Sequence, residues 1–154
     1  MAKSLCSKDD IARILFVDDD PIIREFARVN LASASTEIDL AQDGLQAVEM
    51  LSARPYALIV TDLEMPRLDG FALLERLRGQ DDTRHLPIVV ATGREDVLAI
   101  DRAFSAGATS FVVKPLHWRL LAHQLRFILR SARGEAQLRE MLTRAGPDSP
   151  VRPD

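Results

Sequence analysis

Three aspartates, one threonine and one lysine stand at the ends of short apolar segments, where their side chains could handle a phosphoryl group. Asp18 and Asp19 follow the first such segment, Asp62 the second, Thr92 the third and Lys114 the fourth. Carboxylates can hold a divalent cation or act as nucleophiles, and a hydroxyl or an ammonium can offset phosphoryl oxygens. These residue types predict phosphoryl chemistry if the fold brings them together.

The apolar segments are the elements that must position these side chains. They are rich in β-branched and aromatic residues and are separated by helix-like patterns, which indicates buried parallel strands. A weaker alternating segment adds a fifth strand, so the predicted strands cover about 12–18, 37–41, 58–61, 88–91 and 109–113. Five strands that alternate with helices predict an α/β class domain with a doubly wound five-stranded parallel sheet. In such a sheet, ligands bind beyond the carboxyl ends of the strands, so the polar residues would share one edge.

The helical patterns divide the chain into regions. Asp20 suits the N-cap of a first helix that begins near Pro21, and a long C-terminal helical pattern starts at Leu116. That pattern is weakened at Gly134, and the last residues contain three prolines and little apolar material. We therefore predict a flexible N-terminus over 1–10, a domain over 11–132, a helical linker or extension over 133–144 and a disordered tail over 145–154.

The composition excludes several classes of protein. A net charge of -3 does not favour a protein that coats DNA. One cysteine rules out an internal disulfide, and with three histidines a zinc site is not expected. We expect a cytoplasmic protein with no membrane insertion, since no apolar stretch approaches ~20 residues and no secretory signal is recognisable. Lys114 is the only lysine outside the first ten residues of this arginine-rich chain, which suggests that a compact ammonium is needed there.

Taken together, these motifs resemble the receiver domain of bacterial two-component response regulators over about residues 11–132. The matching pieces, in order, are Val17-Asp18-Asp19, Thr61-Asp62-Leu63-Glu64-Met65-Pro66 with Asp69-Gly70, Thr92, and Lys114-Pro115. The resemblance is of the chemotaxis-receiver-like kind and implies a flavodoxin-like sheet with strand order 2-1-3-4-5, here with an extended C-terminal helix.

The resemblance also implies a Mg²⁺-dependent site for phosphorelay signalling. Asp62 would be the phosphoacceptor, and Asp18, Asp19, Asp62 and the backbone carbonyl of Glu64 would hold the metal. The chain would then be a phosphoacceptor that takes part in its own phosphorylation and dephosphorylation, and not an enzyme. Aspartate-nucleophile phosphohydrolases, the enzymatic alternative, usually carry a second Asp two residues after the nucleophile, where this chain has Glu64.

Other positions are assigned to switching and to phosphoryl lifetime. The Thr92 hydroxyl and the Lys114 ammonium would contact the phosphoryl oxygens, and Thr92 with Phe111 would form the switch. The alternative for Phe111 is constant burial without switching. Glu64 and Arg94 lie two residues after the acceptor and the threonine, where their opposite charges could pair over the phosphoryl group and slow its loss.

The expected partners are a cognate histidine kinase or phosphotransfer protein. The stripe from Trp118 to Ala132 could also form a homodimer contact or face an output domain. Two alternatives remain open on the sequence. The chain could be the receiver fragment of a longer cyclic-di-GMP-related regulator, or a receiver-fold binding module that takes a cyclic dinucleotide directly.

Overall fold

The computed structural model describes residues 11–93 and 97–145, which form five strands and five helices in strict alternation. The elements are β1 (Ala12–Val17), α1 (Pro21–Leu31), β2 (Thr36–Ala41), α2 (Gly44–Ala53), β3 (Leu58–Asp62), α3 (Gly70–Arg78), β4 (Ile88–Thr92), α4 (Val97–Ser105), β5 (Ser110–Val113) and α5 (Trp118–Ala145). The α/β class is confirmed, and the strand ends differ from the predicted ones by one residue at most.

The five strands form one parallel sheet in the order β2-β1-β3-β4-β5, which confirms the order expected from the resemblance. The register aligns the carboxyl ends of neighbouring strands. Val17 of β1 lies beside Thr61 of β3, and Thr92 of β4 lies beside Val113 of β5. The residues that end or follow these four strands therefore meet at one edge.

Two apolar layers cover the two faces of the sheet. Successive residues of β1 show the alternation, since Leu15 packs with the layer formed by α2, α3 and α4 and Phe16 with the layer formed by α1 and α5. Both side chains are at most 1% exposed. Burying a large apolar side chain contributes about 1.5–3 kcal/mol, so these layers fix the strands that carry the polar edge.

The first three helices begin at the same edge, each behind an aspartate cap. The Asp20 carboxylate accepts a 2.9 Å hydrogen bond from the backbone N–H of Ile22, which confirms the predicted cap of α1. Asp43 and Asp69 cap α2 and α3 in the same way. Each cap satisfies one of the amide groups that a helix start leaves without an intrahelical partner.

The last helix runs without a break through Gly134, and its 28 residues span about 42 Å. Leu121, Leu125 and Leu129 anchor its first half in the core, and Trp118 and Ile128 pack against the same cluster. The expectation that the stripe from Trp118 to Ala132 faces a partner is therefore wrong, because that stripe covers the sheet. It includes Ala145, one residue beyond the predicted end of the helical extension. The predictions for 1–10 and 146–154 concern segments outside the described residues. Within the described ranges, none of the helices has the length and hydropathy that crossing a bilayer requires.

Candidate functional site

The carboxyl edge of the sheet collects four of the predicted site residues. Asp18 directly follows β1, Asp62 ends β3, Thr92 ends β4, and Lys114 directly follows β5. Asp18 and Thr92 are each 1% exposed and Asp62 is 9% exposed. Buried polar groups of this kind need partners, because an unpaired buried charge is costly.

Lys114 supplies the partner for both buried carboxylates. Its Nζ atom lies 2.7 Å from Asp18 Oδ2 and 2.8 Å from Asp62 Oδ2, and it donates a hydrogen bond to each. The backbone N–H of Lys114 donates to the carbonyl of Thr92 at 2.8 Å, which fixes the strand end that carries the ammonium. One cation thus bridges two anions that would otherwise repel each other across neighbouring strands.

Burial and pairing act in opposite directions on the ionisation of this cluster. Burial raises the pKa of Asp18, and the hydrogen bonds from Lys114 and from the backbone N–H of Asp20 only partly offset it. Burial alone would lower the pKa of Lys114, but hydrogen bonds to Asp18 and Asp62 raise it above its ordinary value. The ammonium therefore keeps its charge at neutral pH, whereas desolvation disfavours the charged form of Asp18.

Asp19 completes a group of three carboxylates at the mouth of the site. One oxygen from each of Asp18, Asp19 and Asp62 lies within 4.8 Å of the other two, and Asp19 is exposed to solvent. Ligand oxygens around Mg²⁺ stand at most about 4.2 Å apart, at metal distances of 2.0–2.1 Å. Adjacent ligands of an octahedral ion stand about 2.9 Å apart, so the three oxygens would contract around the ion, and their carboxylate chemistry fits a hard divalent cation.

The loop between β3 and α3 packs closely against the end of β3 because residue 70 is a glycine. A Cβ atom at Gly70 would lie 2.3 Å from the carbonyl oxygen of Asp62 and 2.8 Å from Leu63 Cα, so only glycine fits. The Gly70 N–H donates to the Leu63 carbonyl at 3.0 Å, and the Glu64 N–H donates to Asp62 Oδ1 at 3.2 Å. This fold of the loop keeps the Glu64 backbone beside the Asp62 carboxylate.

A second contact holds the same loop against α2. Arg67 has a φ of 70°, and its guanidinium lies 3.4 Å from the buried carboxylate of Asp43. A Cβ atom at Gly44 would lie 2.4 Å from the carbonyl oxygen of Leu68, so the loop packs directly on the start of α2. The strained backbone at Arg67 is thus held by two contacts with the start of α2.

Two positioning residues were not predicted from the sequence. Arg24 donates from Nη1 to the carbonyl oxygen of Asp18 at 2.7 Å and so ties α1 to the end of β1. Gly70 enters the sequence analysis only within the Asp69-Gly70 piece of the resemblance, and its contact with the Asp62 backbone gives no separate signal in the sequence. A contact between a helix and a preceding loop has no local pattern from which it could have been predicted.

The predicted switch residues lie on the side of the site toward β5. Thr92 is buried at the end of β4, and Phe111 is half-buried and packs edge-to-face on Phe104 of α4 with 5.9 Å between ring centroids. Glu64 is exposed on the loop after β3. Its predicted partner Arg94 lies outside the described residues.

Comparison with known proteins places the matched region within one family. The family described as the response regulator receiver domain matches residues 14–126. The response regulator MprA of Mycobacterium tuberculosis is 38% identical over 133 residues, which cover 86% of this chain and 56% of that protein. The chain therefore spans little more than half the length of this curated relative.

Solved receiver structures agree with the fold over most of their length. The chemotaxis protein CheY4 of Vibrio cholerae is 28% identical with a TM-score of 0.72, covering 75% of this chain and 97% of that one. The signal receiver domain of a histidine kinase from Syntrophus aciditrophicus is 32% identical with a TM-score of 0.73, covering 78% and 91%. The similarity is thus in sequence as well as in fold.

Proposed function

This chain belongs to the response regulator receiver domain family of two-component signalling, and on that premise we propose that Asp62 is its phosphoacceptor. The donor would be a histidine kinase or a phosphotransfer protein, and the chain would act as an acceptor and not as an enzyme that turns over free substrates. The observation that carries the proposal is the pair of contacts that Lys114 makes with Asp18 and Asp62, at 2.7 and 2.8 Å.

In the proposed step, a carboxylate oxygen of Asp62 attacks the phosphorus of the donor's phosphohistidine. The new O–P bond forms as the P–N bond breaks, and the electron pair leaves with the imidazole nitrogen of the donor. Lys114 already stands against Asp62 and can transfer its hydrogen bond from the carboxylate to a phosphoryl oxygen. The Thr92 hydroxyl would donate to another phosphoryl oxygen.

We assign Mg²⁺ binding to the carboxylates of Asp18, Asp19 and Asp62 and to the backbone carbonyl of Glu64. When bound, the metal would neutralise the charge that the three carboxylates and the phosphoryl group bring to one place. Trp118, the only tryptophan, packs on Phe16, two residues before Asp18, with 6.0 Å between ring centroids. Its fluorescence should therefore report a Mg²⁺ titration, which Asp19→Asn should weaken.

The direct test is the mass of the intact protein after incubation with acetyl phosphate and Mg²⁺. We expect a gain of about 80 Da, the mass of one phosphoryl group, which Asp62→Asn abolishes. The matched control is Asp81→Asn, since Asp81 carries a 97% exposed side chain away from the site and should leave the gain unchanged. A full gain in Asp62→Asn would contradict the assignment of the acceptor.

We further propose that Thr92 and Phe111 transmit the change to the face formed by α4 and β5. When Thr92 moves toward the phosphoryl group, the space it leaves would admit an inward rotation of Phe111 away from Phe104. Phe111 has no hydroxyl, so packing alone would hold the inward state. Phe111→Ala should leave the mass gain intact and reduce the change in partner binding that phosphorylation causes.

The lifetime of the phosphoryl group would depend on Glu64 and Arg94. Opposite charges at these two positions would restrict the path of the hydrolytic water. Arg94→Ala should therefore speed dephosphorylation, measured as the decay of the added mass after the phosphodonor is removed. An equal or slower decay would contradict this part of the proposal.

For output, we favour the exposed part of α5. Leu138, Met141 and Leu142 are each more than half exposed on the segment of α5 beyond the core contacts. A homodimer or an output domain could cover them. Because MprA is nearly twice as long as the matched region, this chain could equally act as the receiver part of a longer regulator.

A further inference from the structure

A groove lies at the opposite edge of the sheet from Asp62, between the first residues of β1 and β2 and the middle of α5. Its volume is about 380 Å³, and its polar lining comes from Arg126, Arg130, Arg133, His123, Ser35 and Thr36. The six residues of β1 separate this groove from Asp18 by about 20 Å. The groove is therefore a feature distinct from the proposed acceptor site.

The three arginines of this groove differ from the arginines later in α5. The later ones each form an ion pair with the glutamate four residues before them, as in Glu135–Arg139 at 3.9 Å and Glu140–Arg144 at 2.6 Å. Within the described residues, no carboxylate lies within 4.0 Å of the guanidinium nitrogens of Arg126, Arg130 or Arg133. Among the residues that the structure describes, no aspartate or glutamate lines the groove either.

Without a bound anion, this arrangement of arginines lowers the stability of α5. Arg126 and Arg130 are four residues apart and Arg130 and Arg133 are three apart, so their like charges face one another on one side of α5. In the described part of the chain, the Arg126 guanidinium contacts the carbonyl of Ala122 and His123 Nδ1, neither of which is anionic. An anion bound between the three guanidiniums would relieve this repulsion.

We propose that the groove binds a small anion that carries two or more phosphate groups. From Arg126 to Arg133 the helix rises about 10 Å, which sets guanidiniums at both ends of an extended ligand. Each guanidinium presents a planar pair of donors that matches phosphate oxygens, and the hydroxyls of Ser35 and Thr36 offer donors from the other wall. The volume falls in the range of small-molecule sites, about 300–1,000 Å³.

The experiment is isothermal titration calorimetry of the full chain with inorganic pyrophosphate. Mg²⁺ is omitted, so that the carboxylates around Asp62 repel the probe. Arg130→Ala should weaken binding by about tenfold or more, because it removes the central charge-assisted contact. Arg119→Ala removes the same charge from an exposed position of the same helix outside the groove, and it should leave the affinity unchanged.

Three results would overturn the proposal. The first is an absence of binding to the unsubstituted chain. The second is equal weakening by Arg130→Ala and Arg119→Ala, which would indicate a general effect of net charge. The third is binding of a short DNA duplex through Arg130 without binding of pyrophosphate, which would assign the surface to nucleic acid instead. Circular dichroism of both variants checks that α5 is retained.

Discussion

Two half-buried cations stand at opposite edges of the same sheet and differ in what surrounds them. Lys114 lies at the carboxyl edge and contacts the carboxylates of Asp18 and Asp62. Arg78, at the end of α3, reaches the amino ends of β4 and β5 and, among the described residues, donates to neutral oxygens. Those oxygens are the carbonyls of Gly107 at 2.9 Å, Leu86 at 2.6 Å, Thr83 at 3.2 Å and Arg84 at 3.3 Å, and the hydroxyl of Thr109 at 3.3 Å.

The difference separates a chemical role from a structural one. The carbonyl partners of Arg78 have no second function, so its hydrogen bonds serve to join two loops, the one between α3 and β4 and the one between α4 and β5. Lys114 offsets the mutual repulsion of its two carboxylate partners. In the proposed function, Asp18 and Asp62 would exchange the ammonium for a metal, and Asp62 would accept the phosphoryl group. Functional clusters often hold such unfavourable charge at some cost in stability. Substitutions of both cations and of two further residues test this separation.

The largest effect is expected from Lys114→Ala on the rate of phosphorylation. The variant should gain the phosphoryl mass about 100-fold more slowly with acetyl phosphate, because a preorganised cation at the reacting oxygens is lost. Its affinity for Mg²⁺ should rise, since the competing cation between Asp18 and Asp62 is gone. Stopped reactions analysed by intact mass give the rate, and Trp118 fluorescence gives the affinity.

If Lys114→Ala were phosphorylated at the rate of the parent protein, the separate roles given to Lys114 and Arg78 would be contradicted. Arg119→Ala controls for loss of a positive charge elsewhere on the chain, and its rate should be unchanged. The rate and the metal affinity are expected to change in opposite directions. A variant that lost both would be explained by misfolding instead.

Arg78→Ala should reverse this pattern and lower the free energy of unfolding by about 3 kcal/mol, because several partly buried carbonyls lose their donor together. Urea unfolding followed by circular dichroism measures the change. Arg76→Ala, an exposed neighbour on the same helix, is the matched control and should have little effect. The folded fraction of Arg78→Ala should be phosphorylated at the parental rate, and a slower rate would contradict the separation of roles.

Tyr56 and Asp39 form a third case, in which the donor to a carboxylate is neutral. Tyr56 donates to Asp39 Oδ2 at 2.6 Å, and burial, with help from this carboxylate, raises the pKa of Tyr56 to about 12. The protonated phenol is favoured in the folded state, so its contribution is complete below pH 10 and is lost as the pH rises toward 12. The loss should amount to at most about 2 kcal/mol, since one pKa unit corresponds to 1.36 kcal/mol and the side chain is partly exposed.

Because Tyr56 is the only tyrosine, the ultraviolet absorbance of tyrosinate reports this group alone. The titration midpoint of the folded protein should lie near 12, and that of the urea-unfolded protein near 10. Tyr56→Phe should lack the corresponding loss of stability. Equal midpoints in the two states would show that the contact with Asp39 does not persist in solution.

The smallest effect concerns α5 beyond its core contacts. Gly134 lies inside the helix, and a Cβ atom there would meet nothing within 4 Å. Gly134→Ala should therefore stabilise the helix by about 0.5–1 kcal/mol and increase the helical circular dichroism signal. Since this segment lies far from Lys114, the rate of phosphorylation should not change. A loss of helix would indicate that α5 bends or packs at this position.

The cluster at the carboxyl edge of the sheet could be predicted because its determinants are local in the sequence. Apolar runs mark the strands, and parallel topology places the residues after them at one edge, so the sequence alone groups Asp18, Asp62, Thr92 and Lys114. The strand order itself came from the resemblance to receiver domains. Alternation along the strands also explains why helices cover both faces.

The opposite edge could not be predicted in the same way. Arg78 has the sequence character of an ordinary basic residue in the last turn of a helix, where the dipole favours a cation. Its partners lie 5 to 31 residues away and offer only backbone oxygens or a hydroxyl, which leave no trace in composition or spacing. Gly70 and Gly44 are similar cases, since close backbone approach depends on tertiary packing. The Glu64–Arg94 pair stays a prediction.

The most direct test of the central claim is to locate the phosphoryl group. The protein is treated with acetyl phosphate and Mg²⁺ and then reduced with borohydride, which converts an acyl phosphate of aspartate to homoserine, and its peptides are sequenced by mass spectrometry. We expect homoserine at position 62 alone. Homoserine at position 18 or 19, or at no aspartate of a protein that has gained the phosphoryl mass, would contradict it.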